Sequence, residues 1–132
     1  MSNFLFKKTN DVIVDEMVDN KRLSSAFSTL RKEGFVAKEN FWCCKYCAWE
    51  HLKDFPNNTN IVFYSKSESS MAFSSKEIKN ILNLNWRGDA NRIIEVLNEN
   101  GFDVTWDNDS NSCIQILPNE FDEYNSKNNK NN

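Results

Sequence analysis

Three of the four cysteines lie within five residues of one another, in the segment Cys43-Cys44-Lys45-Tyr46-Cys47. Cys44 and Cys47 have the two-residue gap that lets both sulfurs reach one metal ion. If the segment is helical, these two cysteines and His51 share one face of the helix. Because zinc prefers four tetrahedral ligands of this soft type, the pattern predicts a structural zinc site. Its predicted ligands are Cys44, Cys47, His51 and Cys113, with Cys43 as an alternative fourth ligand.

The same cysteines allow two other interpretations. Aromatic neighbours surround them in the sequence, and cysteine also packs as a small buried apolar side chain. A redox dithiol would need Cys44 at the start of a helix, where the helix dipole lowers the thiol pKa. The segment Ala37-Lys38-Glu39-Asn40 is too polar for the buried strand that precedes a thioredoxin motif. Packed thiols, structural zinc and thiol-redox chemistry therefore all stay open.

The sequence offers few other sets of residues that could form a catalytic site. The one histidine, His51, has no nearby serine with a strained-turn signature, and three glycines provide no phosphate-binding loop. Asp107 and Asp109 are carboxylates that could bind a hard cation, but their surroundings are typical of a hairpin turn. We therefore expect that the chain is not an enzyme, and that its cofactor is either none or the structural zinc.

Charge is unevenly distributed along the chain. Residues 1–87 carry 13 basic and 10 acidic residues, whereas residues 88–132 carry 3 basic and 9 acidic ones. Nucleic acid is disfavoured as a partner because phosphate binding needs clustered Lys and Arg, while an acidic surface suits a basic protein. Tryptophan is favoured at interface hot spots, and the chain has four. The predicted partner-binding residues are Asp103, Asp107, Asp109, Trp42 and Trp49.

Features of the sequence also bear on its compartment. No apolar run approaches the roughly 18 residues that a membrane-spanning helix needs. The segment Met1–Lys8 places its charges after a short apolar patch, which reverses the order of an export signal. Clustered cysteines, unlike an evenly spread framework, are typical of a reducing compartment. We expect a cytoplasmic protein without a membrane partner.

Two helices are predicted by apolar stripes. Residues 23–30 and 90–97 each place apolar side chains at helical spacing, and Gly34 and Gly101 follow them as left-handed stops. Alternation or continuous apolar runs predict strands at 35–37, 61–64, 82–86, 102–106 and 114–116, the last two as a hairpin. Residues 65–75 are rich in serine and predict a mobile loop.

This order of elements predicts an α+β fold. The sheet should be mainly antiparallel, with four to five strands and two main helices packed on one face. At this length a single domain over 1–118 is expected. Residues 119–132 have few apolar anchors and predict a disordered tail.

The chain resembles a family of uncharacterised bacterial domains with a Phe-x-Cys-Cys-x-x-Cys motif, here Phe41 to Cys47. Further similar pieces are the Leu30 to Ala37 segment, Val62-Phe63-Tyr64, and Leu97 to Trp106. The resemblance covers about residues 23 to 117. It implies a shared fold and a bacterial or phage origin, and it lends no activity.

Two functional hypotheses follow. The leading one is a small protein-binding domain, for example an immunity or antitoxin-like factor that neutralises a basic toxin. It is favoured by the size of the chain, the acidic final third and the surplus of tryptophans. The alternative is a zinc-binding or thiol-redox protein centred on the Cys43–Cys47 segment.

Overall fold

The computed structural model describes residues 4–6 and 18–118. Within them, four helices are present: α1 (Asp19–Lys32), α2 (Lys45–Leu52), α3 (Lys66–Ala72) and α4 (Ala90–Glu99). The strands are β1 (Phe4–Phe6), β2 (Val36–Lys38), β3 (Ile61–Phe63), β4 (Phe73–Ser74), β5 (Glu77–Ile78), β6 (Leu82–Arg87), β7 (Val104–Trp106) and β8 (Ile114–Ile116). The predicted tail at 119–132 and most of Met1–Lys8 lie outside the described residues.

Six of these strands form one sheet in the order β1-β7-β8-β6-β3-β2, and β4 pairs with β5 in a small hairpin. All neighbours in the large sheet are antiparallel except β2 and β3, which run parallel with Val36 opposite Ile61. The α+β class, the mainly antiparallel sheet and the β7–β8 hairpin are confirmed. The parallel pair makes the sheet mixed, and its strands number six because β1 joins the edge beyond β7.

The main core lies on one face of the sheet, under the two longest helices. Their buried stripes include Leu23, Phe27 and Leu30 from α1 and Ile93 and Leu97 from α4. These are the residues whose helical spacing predicted the two helices. Burial of such side chains stabilises each helix far more than its intrinsic propensity does.

A minor core lies on the opposite face. It consists of Ala48 and Leu52 from α2 packed on Ile61 and Phe63 from β3. The intervening Val62 belongs to the main core, as the alternation of a strand requires. Helices therefore cover both faces of the sheet, and the expectation that they pack on one face holds for α1 and α4 alone.

The serine-rich segment is the clearest departure from the sequence expectation. Instead of a mobile loop, residues 66–72 form α3, and its first turn has a complete capping box. The Ser65 hydroxyl accepts from the Glu68 amide at 3.3 Å, and the Glu68 carboxylate accepts from the Ser65 amide at 2.9 Å. These two bonds satisfy backbone donors that a helix start leaves open, so a segment of low apolarity still folds.

None of the helices in the described part of the chain combines the length and the apolarity that crossing a bilayer requires.

Candidate metal centre

The loop that leads into α2 is held by backbone hydrogen bonds from the start of α3. The amides of Lys66 and Ser67 donate to the carbonyls of Trp42 and Cys43 at 2.9 and 3.0 Å. Trp42 adopts a φ of 62°, in the left-handed region that non-glycine residues rarely occupy. The surrounding bonds must offset this strain, so the position of the first cysteine is fixed by contacts and not by local preference.

Helix α2 then sets the direction of the cysteines. Its buried face carries Ala48 and Leu52, which pack into the minor core. Cys44 is the N-cap residue, and Cys47 lies on the solvent side of the first turns. The three sulfurs of Cys43, Cys44 and Cys47 all lie within 4.8 Å of one another.

These separations suit a single metal ion. The Sγ atoms of Cys43 and Cys47 are 3.5 Å apart. Two sulfurs bound to one tetrahedral zinc at 2.3 Å are about 3.8 Å apart, so a small movement would bring this pair to the required geometry. The three thiols are therefore close enough to hold a metal ion such as zinc.

Electrostatics differ between the thiols. Backbone donation from the Cys47 amide, together with the Tyr46 amide, lowers the pKa of Cys44 below its usual range. Hydrogen bonding to Cys43 and Cys44 raises the pKa of Cys47 to about 11. Cys44 is thus the thiol whose anion the local backbone favours, as expected at a helix N-terminus.

Two of the four predicted ligands are not part of this close group. The ring of His51 stacks on the indole of Trp42, with 3.7 Å between centroids. Cys113 is half-buried, and its sulfur lies 3.8 Å from the Asn85 side-chain oxygen. Among the described residues, the close group contains Cys43, Cys44 and Cys47, so the structure unites the predicted pair with the alternative ligand.

The predicted partner-binding aspartates lie in and beside the β7–β8 hairpin. Asp107 accepts from the amide of Asp109 at 2.9 Å and from the hydroxyl of Ser112 at 3.0 Å. Asp109 in turn accepts from the amide of Asn111 at 2.9 Å. Both carboxylates thus shape the hairpin loop, as the turn interpretation predicts. The backbone carbonyl of Asp103 accepts from the Leu117 amide, and this residue precedes β7.

The two predicted tryptophans differ in exposure. Trp49 packs edge-on against Phe63 at 5.0 Å and extends the minor core. Trp42 is 43% exposed beside the thiols, and Tyr46 is 76% exposed on the first turn of α2. An exposed aromatic surface therefore adjoins the cysteine group.

Comparison with known proteins places the chain in a family. The sequence model of a family described as a domain of unknown function, DUF6891, matches residues 14–123. The chain belongs to the DUF6891 family. No curated protein and no solved structure matches it. The DUF6891 match confirms the resemblance to an uncharacterised domain family and spans the whole cysteine segment.

Sequence reasoning missed one group of residues that positions this DUF6891 site. Ser65, Glu68 and Asn85 form a hydrogen-bonded set in which the Asn85 amide donates to both carboxylate oxygens at 2.8 and 3.1 Å. This set anchors the start of α3, whose amides hold Trp42 and Cys43. The signal was present, because a serine followed three residues later by glutamate is the pattern of a capping box.

Proposed function

We propose that this chain is a zinc-binding protein in which Cys43, Cys44 and Cys47 are thiolate ligands. The observation that carries the proposal is the mutual approach of their three sulfurs to within 4.8 Å. Thiolates are the ligands that zinc prefers in structural sites, and three of them give it strong affinity. The role is binding, without a catalytic step.

The fourth ligand in this proposal is His51. It lies one helical turn beyond Cys47, a spacing that puts two side chains on neighbouring positions of a helix surface. Binding would require the imidazole to leave its stack on Trp42. The site would then be closed by a Cys₃His set, which is one of the common structural zinc sets.

Support also comes from the rigidity of the loop. Backbone bonds from α3 fix the carbonyls of Trp42 and Cys43, and Ala48 anchors α2 in the minor core. A metal site gains affinity when its ligands are held near the bound geometry before the metal arrives. The thiols of Cys43 and Cys47 are exposed, so an ion can reach them from solvent.

Elemental analysis of the purified, reduced chain tests the proposal, with zinc affinity measured by competition against a chromophoric chelator. One zinc per chain is expected for the wild type and for Cys113→Ser, the matched control outside the group. Cys44→Ser and Cys47→Ser should lose at least 100-fold in affinity, and His51→Ala about 10-fold to 100-fold, by analogy with weakened metal sites.

The proposal fails if the wild type holds no stoichiometric zinc. It also fails if Cys44→Ser binds as tightly as Cys113→Ser while circular dichroism shows both variants folded. If His51→Ala leaves the zinc affinity unchanged, His51 is not a ligand, and the proposed site is reduced to the three thiolates.

Protein binding is a second candidate, favoured by the exposure of Trp42 and Tyr46 beside the thiols. In this version the chain is an immunity-like factor, and a basic toxin is its partner. Co-expression with the product of a neighbouring gene tests it. If that product is toxic, the wild type should restore growth and Trp42→Ala should restore less; a non-toxic neighbour, or full rescue by the variant, counts against this candidate.

A further inference from the structure

A groove lies between α2 and the ends of β6 and β8, next to the cysteine group but on another side of the helix. It has a volume of about 470 Å³, which is in the range of small-molecule sites. Lys45, Tyr46 and Trp49 line it from the helix, and Asn85, Trp86 and Cys113 line it from the sheet. We propose that this groove binds a small organic anion that carries a flat ring and an N–H or O–H donor.

The charge of the groove favours an anion. Lys45 and Arg87 are the charged residues among those that line it, and both are basic. The Arg87 guanidinium donates to the Pro56 carbonyl at 2.9 Å, and it forms no salt bridge with another described residue. Among the described residues Lys45 forms no salt bridge, and its ammonium lies 5.5 Å from the Tyr46 ring centroid. A ligand anion would therefore meet two basic side chains in a concave site, and they outnumber the one carboxylate, Glu68, that lies behind Asn85.

The floor of the groove provides an oriented acceptor. Asn85 is only 5% exposed, and its NH₂ group donates to both oxygens of Glu68. A carboxylate only accepts, so the amide nitrogen must face Glu68, and the amide oxygen faces Cys113. A thiol is a weak donor at 3.8 Å, and an N–H or O–H from a ligand would replace it with a stronger bond.

The walls of the groove favour a flat ring. Tyr46 and Trp49 contribute aromatic side chains from α2. The Trp49 ring packs edge-on against Phe63 at 5.0 Å, which holds it in place before any ligand enters. Rigid aromatic side chains bind flat ligands at low entropic cost because few rotamers are lost.

Two matched probes test this inference. The anion 8-anilinonaphthalene-1-sulfonate and neutral N-phenyl-1-naphthylamine share the same rings and N–H donor, and differ in the sulfonate alone. Fluorescence titration of the full chain should show the sulfonate binding at least 10-fold more tightly than the neutral compound. Lys45→Met should weaken the sulfonate about 10-fold and leave the neutral probe unchanged, while Lys45→Arg should restore most of the affinity.

Control variants separate this site from its surroundings. Lys32→Met removes an equal charge from the exposed end of α1 and should change neither titration. Cys44→Ser should also leave sulfonate binding intact, because the groove does not depend on the metal site. Equal affinities for the two probes, or equal effects of Lys45→Met and Lys32→Met, would overturn the inference.

Discussion

The two faces of the sheet are built in different ways. On one face, α1 and α4 bury continuous apolar stripes, and the side chains of Leu84, Ile114 and Ile116 are fully buried beneath them. On the other face, the eight-residue α2 buries only Ala48 and Leu52. The first face mainly stabilises the fold, whereas the second leaves thiols and polar groups accessible to ligands.

The same strands make both faces, so the difference arises because successive side chains of each strand point to opposite faces. In β6 and β8 the side chains that do not enter the main core are those of Asn83, Asn85, Arg87 and Gln115, and Cys113 immediately precedes β8. Asn83 and Gln115 satisfy each other through a hydrogen bond of 2.9 Å. A sheet face of this kind can stay partly uncovered without exposing apolar surface, and candidate sites can therefore form on it.

Truncating one leucine on each face should give the largest contrast. Leu97→Ala should lower the free energy of unfolding by about 4 kcal/mol, since its cavity lies between a helix and a sheet that cannot collapse. Leu52→Ala should cost about 2 kcal/mol, because the end of a short helix can shift inward. Urea unfolding measures both values, and an equal or larger cost for Leu52→Ala would contradict the comparison.

The next largest effect on stability is expected at the buried ion pair of the main-core side. Asp19 accepts from the Ile78 amide at 2.8 Å and pairs with Arg22, and both side chains are almost fully buried. Burial raises the pKa of Asp19, but the hydrogen bonds with the Ile78 amide, Glu77 and Arg22 outweigh it and hold the pKa below its ordinary 3.8. Asp19→Asn should cost about 3 kcal/mol at neutral pH, because it removes the buried negative charge that pairs with Arg22.

The pH dependence of that cost follows from the lowered pKa. A folded-state pKa below the unfolded value means that the carboxylate stabilises the fold above pH 3.8 and progressively less as the pH falls further. The difference in the free energy of unfolding between wild type and Asp19→Asn should therefore become smaller in acid. Urea unfolding between pH 7 and pH 3 measures it, with the exposed Asp54→Asn as control. A gap that widens in acid would reverse the sign we assign.

Zinc binding on the second face should raise the free energy of unfolding of the protein by a smaller amount. Free zinc at 100 times its dissociation constant should add about 2.7 kcal/mol, and a chelator should remove this gain. Cys47→Ser should show no gain, while Cys113→Ser should retain it. Thermal melts with and without zinc measure the effect, and a gain that survives in Cys47→Ser would place the ion somewhere else.

The capping box should have the smallest effect on stability. Ser65→Ala removes the hydroxyl that accepts from the Glu68 amide and donates to the Glu68 carboxylate, and it should cost about 1 kcal/mol. It should also weaken zinc binding, since the start of α3 holds the carbonyls of Trp42 and Cys43. Ser70→Ala, an exposed position of the same helix, serves as the control in melts and zinc titrations. Identical zinc affinity in both variants would separate the cap from the site.

Much of the main-core side could be predicted from the sequence. The stripes that contain Leu23 and Ile93 repeat at helical spacing, and Gly34 and Gly101 both adopt positive φ after their helices. Such local rules need no tertiary information. The parallel pairing of β2 with β3 could not be read, because it depends on where the chain returns after α2.

The cysteine site could be predicted only in part. Two-residue spacing identified Cys44 and Cys47, but the choice of Cys43 over Cys113 depends on the left-handed turn at Trp42. Hydrogen bonds from α3 impose that conformation. The sequence did not predict α3, because its segment has low apolarity. The position of Cys113 depends on the register between β6 and β8, which spacing along the chain does not encode.

The stacked pair of Trp42 and His51 makes the proposed centre an optical sensor of its own occupancy. An imidazole in face-to-face contact with an indole quenches its excited state, so the light emitted by Trp42 depends on where the histidine lies. If an ion draws His51 away, ultraviolet excitation should give a brighter signal from this one residue. Subtracting the emission of Trp42→Phe from that of the wild type would isolate the signal of Trp42, and the protein would thus report its loading without any attached dye.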